Sequence, residues 1–396
     1  MRLVVLPLRA AAGDAASVEV VERKGIGHPD TLCDAIAERA SQLYALHCLD
    51  VHGRVAHHWF DKVMLVGGEA VTGYGNGILV RPYELVFAGK AAFAVGGDAI
   101  PVEDLLVRAA RDVLGAVLRQ FDVERDIRIH NMLVDHRGSG RSDGRYRPRT
   151  RADLLELDDP ARVSNDCNVL TAFAPFSRLE ELVLDIEQQL TGEGGLGNAP
   201  DIGVDVKIVG TRVGHHVELV VNVPFIAAEV PSQVVYERRQ AELAEFICER
   251  ARHRHGLDIE LTLNPGPQPY LTVTGSVADT GDVGVVGRGN RSNGLITPMR
   301  PMSIEAASGK NPLDHTGKIY SRIADQLAAS VATASGGNVV VTITTAKGRP
   351  INDPDLVAIE CDEPLPEDIA AAAAASCLDG VHEQSRAFIF GDEPLW

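Results

Sequence analysis

Between Gly281 and Tyr320 the chain reads GDVGVVGRGNRSNGLITPMRPMSIEAASGKNPLDHTGKIY. Glycines recur through it, Arg288, Arg291, Arg300, Lys310 and Lys318 are spread along it, and its apolar residues keep neither a helical nor a strand period. A stretch of this length outside both periods is usually held in place by what it binds. Closely spaced glycines expose backbone N–H groups, Arg and Lys add positive charge, and together they suit a polyphosphate. The cations stand out because the chain as a whole is acidic, with a formal net charge of −17 over 396 residues.

Four shorter groups carry chemistry of the same kind. KGIGHPD (Lys24–Asp30) sets an imidazole, His28, and a carboxylate, Asp30, beside two glycines just before a helix. The partial positive charge of a helix N-terminus favours an anion there by about 0.3–1 kcal/mol. A Pro-containing turn with a capping Asp accounts for the same residues equally well. NDCN (Asn165–Asn168) offers Asp166 as a Mg²⁺ ligand or a nucleotide hydrogen-bond partner, or is a plain Asx turn. Asp205 and Lys207, two apart on a strand, project to one face, as a surface ion pair or as charges pointing into a site. Glu69 follows Gly67-Gly68 at a strand end, a place for a ligand contact or for an exposed charge.

Other patterns fail on inspection. GSGRSDG (Gly138–Gly144) precedes an Arg/Pro-rich stretch instead of the packed helix that a dinucleotide fingerprint needs. ASGKN (Ala307–Asn311) has Asn311 where a Walker loop places Ser or Thr. His57-His58, His215-His216 and His253/His255 lack metal-ligand spacing with a supporting carboxylate, and are read as exposed or strand histidines.

The elements that must position these groups follow from periodicity. Helices are expected over Thr31–Leu49, with Thr31 and Asp34 resembling a capping box, and over Val102–Phe121, Leu179–Leu190, Pro231–His255, Lys318–Ala334 and Pro366–Leu378. Strands are expected over Val63–Val71, running into a glycine turn, and over Ile127–Val134, Ile259–Leu263, Tyr270–Val277 and Asn338–Ala346. Val204–Gly210 and His216–Val223 form a hairpin around Gly214. Gly138–Asp153 reads as a loop, a domain junction and a candidate lid. Strands and helices mix without regular βαβ alternation, which predicts an α+β fold with sheets covered on one face.

Composition bounds the rest. The length suggests two or three domains, and 45% hydrophobic residues supply sizeable cores. The acidic balance argues against general nucleic-acid binding. Six scattered cysteines without a CxxC pair read as reduced thiols of a cytosolic protein. No apolar run approaches membrane-spanning length, and the opening MRLVVLPLRAAAGDAA, broken by Pro7 and Arg9, is a poor signal peptide.

In this order, VERKGIGHPDTLCDAIAE (Val21–Glu38), VGGEA (Val66–Ala70), SNDCNVLTAFAP (Ser164–Pro175), DIGVDVKIVGTR (Asp201–Arg212) and the whole of Gly281–Tyr320 resemble the S-adenosylmethionine synthetases of archaeal type. The resemblance implies three similar α+β domains of mixed or antiparallel sheet with helices on one face, in a pseudo-threefold arrangement. The expected regions are about 1–137, 138–270 and 271–396, interleaved along the chain. It implies a homodimer, or a pair of dimers, with each active site shared between subunits. The implied substrates are ATP and L-methionine or a related thioether amino acid, with two Mg²⁺ and an activating K⁺.

Carried onto this sequence, the resemblance places His28 near the leaving oxygen, and Asp30 and Asp282 each on a Mg²⁺. Lys207, Arg288, Lys310 and Lys318 clamp the triphosphate. Glu69 takes the methionine ammonium, and Asp166 sits near methionine and nucleotide, with Asn165, Asp205 and Arg291 also on the substrate side. The departures are Thr31, Trp59-Phe60, Cys167-Asn168 and a basic GSGRSDGR loop, while the triphosphate block is intact. They leave open a paralogue that prefers a modified thioether. A non-catalytic nucleotide-binding subunit is a third reading, which the number of converging charges opposes.

Overall fold

A computed structural model of the chain describes residues 1–135, 145–192, 196, 199–391 and 394–396. Twelve strands form its main sheets: β1 (Arg2–Pro7), β2 (Val18–Lys24), β3 (His58–Val66), β4 (Tyr83–Ala91), β5 (Ile127–Val134) and β6 (Asn168–Ala174), then β7 (Lys207–Val213), β8 (His216–Asn222), β9 (Ile259–Leu263), β10 (Val283–Val285), β11 (Val339–Thr345) and β12 (Leu356–Cys361). The helices are α1 (Pro29–His52), α2 (Val102–Val117), α3 (Arg178–Thr191), α4 (Gln233–His255), α5 (Thr316–Ser335), α6 (Glu367–Asp379) and α7 (Val381–Phe390).

The strands make three four-stranded sheets, ordered β10-β3-β4-β5, β9-β8-β7-β2 and β1-β12-β11-β6. All are mixed, each with one parallel pair: β4 with β5, β8 with β9, and β1 with β12. Helices cover one face of each. Leu32, Ile36, Phe60, Leu85 and Leu106 belong to the core under α1 and α2. Leu182, Ile186, Ile208, Leu219 and Ile247 belong to that under α3 and α4. Ile323, Leu327, Val341 and Ile359 belong to that under α5 and α6. Each such side chain, once buried, contributes about 1.5–3 kcal/mol. The cores draw on distant segments: the first runs from Leu32 to Leu154 and takes up Ala278 and Val286, and the last joins β1 and β6 to the C-terminal third.

Alternation delivers the charges. In β7 the residues Ile208, Gly210 and Arg212 point inward, so Lys207 and Thr211 face out. Strand β2 pairs antiparallel with β7, placing Lys24 opposite Lys207, and Gly25 and Gly27 extend the pairing to Val206 and Val204. Strand β10 pairs with the end of β3, Val283 opposite Val66. Gly284 lets β10 press on the start of α1, because a Cβ there would collide with the carbonyl of Pro29.

The helix start differs from the expected capping box. His28 is the N-cap of α1, its Nδ1 accepting the Asp30 N–H at 3.1 Å. Thr31 and Asp34 lie inside the helix, and Asp34 Oδ1 instead accepts the Gly287 N–H. Pro29 at the first helical position explains the shift, since its fixed φ starts the helix two residues earlier. The expected strand Tyr270–Val277 shrinks to Leu271–Thr272, because Asp279 captures the Val273 and Thr274 N–H groups. The Gly138–Asp153 stretch lies outside the described residues as far as 144, and ends in a short turn over Arg151–Asp153.

Candidate active site

The charged residues gather in two places. The first is a cleft of about 450 Å³ lined by His28, Asp205, Lys207, Tyr270, Val277 and Asp282, with Asn222, Asn264 and Gln268 at its edge. His28 is buried. Burial pushes its imidazole down to about 4, with Asp30 opposing and the Lys24 and Lys207 cations adding. It is therefore neutral at pH 7, and because Nδ1 accepts from Asp30, its proton resides on Nε2.

Asp30 is also buried. One carboxylate oxygen accepts the Val285 N–H at 2.8 Å and the other the Lys24 ammonium at 2.8 Å. Asp205 accepts the Val277 N–H at 2.8 Å, and its burial carries the carboxyl up to about 7, with the Asp282 charge adding. Asp282 is exposed at the head of β10. Lys207 reaches Glu22 at 3.3 Å and keeps 41% of its side chain open.

The second group surrounds Lys310, whose backbone bridges to Trp59 beside the bulge in β3. Gly309, at φ +78°, makes this approach possible: a Cβ there would lie 2.7 Å from the Phe60 backbone. Lys310 is buried, touches Glu305 and lies 3.7 Å from Asp61. Burial takes its ammonium down to about 8, against the pull of Asp61. His315 is buried next to it, with Nε2 4.0 Å from Asp166, and burial and the Lys310 charge hold it near 4. Trp59 stands edge-on to both His315 and Tyr146, with centroids 6.4 and 6.3 Å apart.

Several expected site residues serve the framework. Lys318 is fully buried against Glu38. Arg291 donates to the carbonyls of Gly287 and Gly289, and so shapes the loop that carries Arg288. Arg288 itself is exposed, and its carbonyl accepts from Lys24. Asn165 is buried and donates to Asp314 at 2.8 Å, while Asp166 is half exposed. Glu69 is exposed at the start of a two-stranded ribbon, opposite Arg81.

Of the departures, Phe60 belongs to the core and Asn168 accepts from Thr316, whereas Trp59 and the exposed Cys167 lie beside the second group. Sequence reading missed Tyr270, Gln268, Asp61 and Glu305, which sit in segments without periodicity or among apolar strand residues. His58 and His216 are strand histidines as expected, His58 wholly buried against Ser41 at the start of β3 and His216 exposed at the start of β8, but His216 does have carboxylates, Glu218 and Glu260, within 4.8 Å, all three exposed. Glu260 comes from β9, in register with Glu218, a neighbour that linear spacing cannot reveal.

The two groups lie toward opposite ends of β3, Trp59 and Asp61 at one and Gly67 with Asp282 at the other. At about 3.3 Å per residue that separates them by roughly 20 Å.

A sequence model described as S-adenosylmethionine synthetase (AdoMet synthetase) matches residues 1–381. The S-adenosylmethionine synthase of Aeropyrum pernix is 36% identical over 395 residues, covering 95% of this chain and 94% of its own. That of Haloarcula marismortui is 37% identical over 358 residues, covering 88% and 86%. A solved structure described as an unusual S-adenosylmethionine synthetase from Campylobacter jejuni superposes with a TM-score of 0.59 at 13% identity, covering 96% of both chains, and so shares the fold. With a match along nearly its whole length, the chain belongs to the S-adenosylmethionine synthetase family.

Proposed function

We propose that the chain makes S-adenosylmethionine from ATP and L-methionine and then hydrolyses the bound triphosphate to diphosphate and phosphate. The observation that carries this reading is the cleft lined by a neutral His28, Lys207 and the carboxylates Asp205 and Asp282, with buried Asp30 3.8 Å from the His28 ring. In the first step the thioether sulfur bonds to C5′ as the C5′–O bond breaks, and the electron pair leaves with the triphosphate. A thioether needs no base, so the site's work is alignment and charge. Holding sulfur, C5′ and oxygen in line supplies up to roughly 7–11 kcal/mol. The Nε2–H of His28 is placed to donate to the leaving oxygen, and a preorganised donor of this kind contributes about 2.7–4 kcal/mol. Tyr270 lines the cleft, the aromatic side chain on which the purine would stack.

The cleft suits magnesium, a hard cation that takes oxygen ligands. Asp205 is a buried carboxylate with no cation bonded to it among the described residues, and its raised affinity for a proton marks a place where a cation is favoured. Asp30 and Asp282 would each hold an ion, which would neutralise phosphate charge. Potassium activation belongs to the same reading.

The second group completes the site in a homodimer or a pair of dimers. Lys310 and Asp166 stand roughly 20 Å along β3 from the first group, so the partner subunit's copies are the ones that reach the cleft. The outward face of the first sheet exposes Met64, Met132 and Val283, an apolar surface for such packing. On this reading the three cores are three interleaved domains in a pseudo-threefold arrangement. A cytoplasmic location fits the unpaired cysteines and the absence, among the described residues, of a helix long and apolar enough to cross a membrane.

The test is incubation of the purified chain with ATP, methionine, Mg²⁺ and K⁺, with mass spectrometry for S-adenosylmethionine and assays for phosphate and diphosphate. All three products are expected together. Phosphate release without S-adenosylmethionine would refute the methionine assignment.

A further inference from the structure

We infer that Glu305 is the carboxylate that activates water for hydrolysis of the bound triphosphate, an inference that rests on the function proposed above. The Lys310 ammonium meets two carboxylates, Glu305 in direct contact and Asp61 at 3.7 Å. They differ in freedom. Asp61 is buried and rooted in β3. Glu305 is partly exposed and belongs to a segment without helix or strand, next to Ile304, which is 85% exposed. When a terminal phosphate takes the Lys310 ammonium, Glu305 is the partner that gives way.

It cannot then touch the phosphate oxygens, because two like charges in contact near a protein surface repel. A water fits between them, donating a hydrogen bond to Glu305 and turning a lone pair toward phosphorus.

A second observation points to the same place. A Cβ on Gly317 would lie 2.9 Å from Glu305 Cγ and 3.0 Å from His315 Nδ1, so both side chains close over the glycine. His315 is 2% exposed, and its Nδ1 has no partner among the described residues. A buried nitrogen left unpaired is unfavourable, and this one faces the space beside Glu305, ready to accept from the water or the protonated carboxyl. In the step itself the water oxygen bonds to the terminal phosphorus. The bridging P–O bond breaks, its electron pair leaves with diphosphate, and the water proton passes to the Glu305 carboxylate and on to solvent.

The experiment uses full-length Glu305→Gln and Glu305→Asp, with inorganic tripolyphosphate as the hydrolysis probe and single-turnover S-adenosylmethionine formation measured alongside. In Glu305→Gln, tripolyphosphate hydrolysis is expected to fall at least about 100-fold, synthesis to fall far less, and tripolyphosphate to accumulate. Glu305→Asp is expected to recover part of the hydrolysis. An equal loss of both steps would make Glu305 a structural or metal-binding residue, and undiminished hydrolysis would make it only a displaceable counter-ion for Lys310. Either result overturns the inference. The wild-type control reports synthesis directly, so failure of the proposed function is read separately.

Discussion

The Lys318 ammonium lies 2.5 and 2.6 Å from the two carboxylate oxygens of Glu38, and neither side chain is open to solvent. Its remaining bond goes to the Lys310 carbonyl at 3.1 Å, and Glu38 also accepts the Gly309 N–H at 3.0 Å. The pair therefore fixes the turn that presents Lys310, and its ammonium is already satisfied. Removing one partner of a buried pair strands the other, at a cost of about 3–5 kcal/mol. Lys318→Met is expected to lower the denaturation midpoint accordingly, and Lys318→Met with Glu38→Leu to recover most of it. Unchanged stability with lost tripolyphosphate binding would return Lys318 to the phosphate clamp.

His28 has two duties that can be separated. Asn caps helices as well as any residue, so His28→Asn keeps an acceptor for the Asp30 N–H and removes the group facing the cleft. The melting temperature is expected to stay within a few degrees while kcat falls about 100-fold. A loss of stability matching the loss of rate would show that the cap alone matters.

The Lys310 ammonium, held near 8 against its ordinary 10.5, is charged below about pH 8 and progressively neutral above it. Polyphosphate binding needs the charged form. Affinity for tripolyphosphate is thus expected to be level near pH 7 and to weaken between pH 8 and 9.5, approaching about tenfold per unit. Calorimetric titration across that range, with Lys310→Met as the control lacking this dependence, checks the sign. A flat wild-type profile would place the phosphate elsewhere.

If each site draws on two chains, inactive subunits should complement one another. His28→Asn and Lys310→Met are each expected to be nearly dead. Mixed, dissociated and reassociated, half the dimers are hybrids with one intact site in two, giving about a quarter of wild-type activity. No recovery would place both groups in one subunit's site.

What was legible in the sequence divides along physical lines. Strands β5 and β9 match the expected Ile127–Val134 and Ile259–Leu263, and the hairpin around Gly214 forms, because alternation and turn glycines are local signals. Helices α2, α3 and α5 lie within a few residues of their apolar stripes. The cap at His28 was hidden behind a more familiar pattern three residues on. Strands β1 and β12 were overlooked, short segments that pair with each other across the whole chain. The charge-rich motifs gave the site's ingredients. They could not tell a clamp from a strut: Lys318 and Arg291 read like Lys207 and Arg288, and only tertiary partners separate them.

On the proposed assignment, no core contains the catalytic machinery by itself. His28 and Asp30 start or cap a helix of the first core, Lys207 leads a strand of the one built on β7 and β8, and Lys310 sits in the segment that leads into the helix filling the last. Catalytic competence is therefore a property of the fully folded chain. Unfolding any one core in urea should abolish turnover while much of the secondary structure persists, so enzyme assays would register the earliest cooperative loss long before circular dichroism does.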